Sequence, residues 1–197
     1  SSATSPRGAP ASHHAFSVKT IGLPLPFVED WEGGELDELG WSTHENATTS
    51  FPWVLADVYA HSGAYAAEHT GGDPGQGTLR DWLVSPALEF DGTTEVAISW
   101  SELGLDSPSQ EAHLLYLSMG SPDPQQGDFE LVADLDPPLL EADWASSELI
   151  DLTPFVTEGV GYVAFYYQGE YPSDHWYIDD VYVGEPGRGY VKHYLLD

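Results

Sequence analysis

Asp81-Trp82-Leu83-Val84-Ser85-Pro86-Ala87-Leu88-Glu89-Phe90 is the stretch whose reading decides the fold. It is a short apolar run closed by the turn dipeptide Asp91-Gly92. In residues 93–100, which follow, Val96, Ile98 and Trp100 recur at every second position. A period of two is the signature of a strand with one buried face, and the dipeptide lets the two runs pair as a hairpin, although other connections also fit.

Outward from this pair the pattern repeats. Residues 112–119 (AHLLYLSM) and 162–167 (YVAFYY) read as buried strands, residues 129–133 and 147–152 as weaker ones, and residues 176–183 (WYIDDVYV) as a late strand carrying two adjacent aspartates. Loops rich in Pro, Gly and Asp separate them, at 71–77, 107–109, 121–127 and 134–138. No segment sustains a helical period. Many short strands with turn signals between them predict an all-β protein built as a two-sheet antiparallel sandwich.

The ends read differently. Residues 1–26 form a Pro/Ser-rich tail with a strand-like alternation at 15–21. Residues 27–184 form the expected domain, and 185–197 a linker with room for one more strand. A tail strand of this kind could complete a neighbouring copy's sheet and build a homo-polymer, so self-assembly is a second functional expectation.

Composition excludes several classes. The 197 residues hold 33 acidic and 5 basic side chains, a formal charge of −28. Such a polyanion is repelled by nucleic-acid phosphates and by anionic membrane surfaces. The apolar run near residues 160–167 falls far short of the roughly 20 residues needed to span a bilayer, so membrane insertion is not expected. With no cysteine, disulfides and thiolate sites are excluded. Most of the charge reads as a solvated outer face suited to saline or extracellular surroundings.

Five segments in order resemble one group of secreted bacterial domains. They are Phe27-Val28-Glu29-Asp30-Trp31-Glu32-Gly33-Gly34, Gly40-Trp41, His61-Ser62-Gly63-Ala64-Tyr65-Ala66-Ala67, Asp81 to Leu88, and Tyr177-Ile178-Asp179-Asp180-Val181-Tyr182-Val183. Together they resemble the choice-of-anchor J / cleaved-adhesin group, itself similar to MAM domains. The resemblance implies a jelly-roll β-sandwich, secretion to the bacterial cell surface, a role in adhesion, and structural calcium. A chain that starts at Ser1 fits a removed signal peptide. Expected partners are a cell-surface or matrix protein or a glycan.

For calcium, the resemblance points to Glu32, Asp81, and Asp179 or Asp180. Trp31 stands where the group usually has Phe, and Glu29 and Asp30 crowd the same turn, so Asp30 joins the candidate ligands. A regular strand turns Asp179 and Asp180 to opposite faces, so only one can join a site unless a bulge intervenes.

Other chemistry finds little footing. There is no G-x-S-x-G elbow, the H-E-x-x-H pattern begun at His44 fails at Thr48, and the glycine-rich loop at 71–77 lacks a lysine. A non-enzymatic module is expected. Among the many aromatics, Tyr166-Tyr167, Tyr171 and Trp176-Tyr177, with His175 beside them, offer stacking faces for a sugar, although core packing explains aromatics on strands equally well.

Overall fold

A computed structural model describes residues 20–45, 53–71, 77–105, 111–135, 143–170 and 175–187. Among them are thirteen strands and two short 3-10 turns, with no α-helix. The strands are β1 (Phe27–Glu29), β2 (Ser42–His44), β3 (Trp53–Ala56), β4 (Ala66–His69), β5 (Leu79–Val84), β6 (Leu88–Asp91) and β7 (Ala97–Gly104), then β8 (Glu111–Ser118), β9 (Phe129–Leu135), β10 (Ala145–Ser146), β11 (Ile150–Asp151), β12 (Glu158–Gly169) and β13 (Trp176–Gly184).

They form two antiparallel sheets. The first runs β10-β7-β13-β4-β3, with β1 also paired to β13 and β11 to β7. The second runs β2-β5-β12-β8-β9, with β6 also paired to β12. The protein is a jelly-roll β-sandwich. First and last strands meet, since Phe27 pairs with Val183 and Glu29 with Val181.

The inner faces meet in one core that includes Trp31, Trp53, Leu83, Ile98, Leu115, Phe165, Trp176 and Val181. Burying each such side chain contributes about 2 kcal/mol or more. Alternation supplies them: Leu83 faces inward while Trp82 and Val84 join a separate apolar cluster on the outside of the second sheet.

The run at 81–90 is broken in the middle. β5 pairs with residues Ala164 to Gly169 of β12, and β6 with Glu158 to Gly161, so both lie along one partner strand. Pro86 has no N–H for the ladder, and Ser85 bridges the gap by accepting the Val163 N–H on its hydroxyl at 3.0 Å. The hairpin admitted at 93–100 does not form. After Asp91-Gly92 the chain crosses to the other sheet, where β7 pairs with β13.

Of the strand expected at 15–21, only Thr20 and Ile21 are among the described residues, and neither is in a strand. Residues 1–19 and 188–197, with the expected extra strand beyond 187, lie outside them.

Candidate functional site

Two aspartates sit where the first sheet changes partners. β13 is flanked by β4 as far as Ile178 and by β1 from Val181 onward. Asp179 and Asp180 occupy the gap. A register shift falls between Asp179 and Tyr182, and Asp180 has φ +50, the left-handed region that a non-glycine residue rarely enters. This bulge turns both carboxylates toward the loop 61–65.

That loop is held almost entirely by acids. The N–H groups of His61 and Ser62 donate to Asp179 Oδ2 at 2.8 and 3.0 Å. Ser62 Oγ donates to Asp180 Oδ1 at 2.7 Å, and His61 Nδ1 lies 2.5 Å from Asp180 Oδ2. From the end of β1, Glu32 Oε1 accepts the N–H groups of Ala64 and Tyr65 at 2.7 and 2.9 Å. Carboxylates thus take the place of a strand partner for this stretch of backbone. Burial and the neighbouring Asp180 push the Asp179 carboxyl up to about 6, against the lowering effect of its N–H donors.

The structure therefore brings together Glu32, Asp179 and Asp180, and leaves two candidates out. Asp30 accepts the Glu32 N–H at 3.3 Å within its own turn. Asp81 points into the core, where His69 Nε2 lies 2.9 Å from its Oδ2 and both side chains are buried. Glu29, next to the motif acids, is also buried and accepts from Trp31 N–H and Trp41 Nε1–H at 3.1 and 3.0 Å. Burial raises its carboxyl. Among the described residues, no three His, Asp or Glu side chains stand close enough together to hold a metal ion as arranged.

The expected sugar-stacking residues divide. Trp176 is fully buried in the core, with its Nε1–H donating to Glu102 Oε2 at 3.0 Å. Tyr167 and Tyr177 are buried too. His175 pairs through Nδ1 with Glu68 Oε1 at 2.8 Å, and the Tyr177 hydroxyl donates to the same oxygen at 2.7 Å. Burial pushes the Glu68 carboxyl up, but these bonds outweigh it and hold it below its ordinary value. Tyr171 lies outside the described residues.

Tyr166, the remaining candidate, lies on a surface whose other rings the sequence did not single out. On the outer face of the second sheet, Trp82 lies 4.8 Å from Tyr116, 4.6 Å from Tyr166 and 5.4 Å from Phe129, centroid to centroid. Of these rings Tyr166 is buried, and the other three are half-buried. Arg80 Nε donates to Gln168 Oε1 at 3.3 Å, and the Tyr166 hydroxyl donates to the same oxygen at 3.1 Å. Alternation through residues 80–84 and 112–118 carries the signal for this face.

No protein-family model matches the chain, and no curated protein matches it. Solved structures do. The K3 cleaved adhesin domain of Lys-gingipain from Porphyromonas gingivalis is similar over 81% of this chain and 98% of that one, at 18% identity and a TM-score of 0.62. The CBM22-1 xylan-binding domain of Paenibacillus barcinonensis Xyn10C covers 80% and 92%, at 11% identity and 0.53. TmCBM61, in complex with β-1,4-galactotriose, covers 80% and 99%, at 14% identity and 0.51. The likeness is one of fold: a cleaved-adhesin-like β-sandwich, an architecture shared with carbohydrate-binding modules.

Proposed function

We propose that this protein is a non-catalytic, extracellular recognition module whose partner is a glycan. The observation that carries the reading is the group of ring-to-ring contacts on the outer face of the second sheet, beside exposed Arg80 and half-buried Gln168. Sugar recognition requires apolar faces for the ring and polar groups for the hydroxyls, and this face offers both. Adhesin domains and carbohydrate-binding modules of the same fold support it. Affinity electrophoresis in gels containing soluble galactan, xylan, mannan or glucan tests it. Retardation in at least one gel is expected, and unretarded migration in all of them overturns the reading.

A second reading concerns calcium at the β1–β4 junction. Glu32, Asp179 and Asp180 supply hard oxygen donors around one loop, and a cation there would draw them closer together than the structure holds them. A divalent cation there would offset the repulsion between Asp179 and Asp180. Melting with added calcium and then with chelator tests this: a reversible rise of several degrees is expected, and an unchanged midpoint rejects it.

A further inference from the structure

The registers of the second sheet set out the outer face row by row. One row reads His44, Trp82, Tyr166, Leu114, Asp134 across β2, β5, β12, β8 and β9. On one side lies Arg80, Gln168, Ala112, and on the other Ser42, Val84, Ala164, Tyr116, Leu131. Strands lie about 4.8 Å apart, so the central row spans about 19 Å.

Exposure varies across this face. Val84 and Ala164 point outward yet are fully buried. With Tyr162 they form a cluster against which Ala87, Phe129 and Val160 pack. What stays open lies to either side of that cluster: Trp82 and Tyr116, both half-buried, with Leu131 exposed beside Tyr116 and Arg80 exposed at the rim.

We infer that this open part of the face is the glycan-binding site itself, and that it takes a neutral chain of pyranose rings lying obliquely across the sheet over Trp82 and Tyr116, whose centroids are 4.8 Å apart. This rests on the recognition-module reading and gives it a place and a ligand class. Trp82 and Tyr116 present ring surface that the sheet holds in fixed positions, so little ordering entropy is lost on binding. Gln168 supplies an amide, Arg80 a donor and Asp134 an acceptor at the rim, a mixed set suited to hydroxyls. Charge selects against acidic chains. Asp134 lies beside Tyr116 and Leu114, and the whole protein carries −28.

The test uses whichever neutral polysaccharide retards the wild type, with polygalacturonate as the acidic comparison. Trp82→Ala is expected to weaken binding at least about tenfold and Gln168→Ala severalfold. Gln168→Ala keeps every ring and loses only the Arg80 and Tyr166 hydrogen bonds, so its melting point should fall by no more than a few degrees. If Trp82→Ala fails to fold, Trp82→Phe and Gln168→Ala decide. Wild-type binding that all variants retain overturns the site while leaving the recognition reading intact. No binding to any neutral glycan overturns both. Stronger retardation by polygalacturonate than by any neutral chain overturns the ligand class.

Discussion

The Glu32 carboxylate occupies the space that a Cβ on residue 63 would need. Gly63 also has φ +63, a conformation costly for any residue with a side chain. The glycine of the His61-Ser62-Gly63 motif is thus required by an acid 31 positions away in sequence, because Glu32 must reach the N–H groups of Ala64 and Tyr65.

Gly63→Ala is therefore expected to cost about 3 kcal/mol, combining left-handed strain with steric overlap. Glu32→Ala alone should be milder. In the double variant the overlap disappears and the strain remains, so the two costs should fall short of adding. Urea midpoints of the four proteins measure this, and strictly additive costs would show that the two residues do not meet.

Much of the fold is legible in the sequence, because period-two patterning and turn residues report strands directly. The junction is legible only as a motif. Whether Asp179 and Asp180 share a face depends on Asp180 entering the left-handed region, which no pattern announces. For Asp81, the alternation of Leu79, Asp81 and Leu83 points it inward, a signal the motif resemblance overrides. The outer face is hidden for another reason. Residues 112–119 read as buried on both sides because their outward positions carry Leu114 and Tyr116, so a recognition surface and a core look alike in one dimension.

His113 makes stability depend on pH. It is fully buried and stacks 4.0 Å from Trp176 with the rings 9° apart; neither ring nitrogen makes a hydrogen bond, and the buried Glu111 Oε1 lies 3.6 Å from its Nε2. Burial, with a smaller effect from His69, pushes it down to about 3. In the unfolded chain a histidine titrates near 6.5, so there the unfolded state gains protons first as pH falls. The contribution is fully present above ~6.5 and is lost as pH drops through the folded value. His113→Phe keeps a ring on Trp176 and removes the titration. Its advantage over the wild type should widen from pH 7 to pH 4 in thermal melts, whereas a constant difference would refute the assignment.

Ser85 is expected to matter more than its size suggests. Its hydroxyl accepts the Val163 N–H and donates to the Pro86 carbonyl at 2.9 Å, joining β5 to β6 across the break. Ser85→Ala leaves that buried N–H unsatisfied, at a cost of about 2 kcal/mol. Hydrogen exchange locates the effect. Protection at Val163 should fall by more than protection at Phe165, and equal loss at both would indicate general destabilisation instead.

His69 and Asp81 form a polar contact inside the sandwich, with His69 stacked 3.8 Å from Tyr167. Burial pushes His69 below its ordinary value, so at neutral pH a neutral imidazole faces the carboxylate. Removing either partner strands the other in the core. Asp81→Leu and His69→Phe should each cost about 3 kcal/mol. The double variant replaces both by apolar groups of similar shape and should recover part of that loss. A double-mutant cycle in urea measures the coupling. If the double variant is as unstable as the sum of the singles, the contact is incidental to the packing around it.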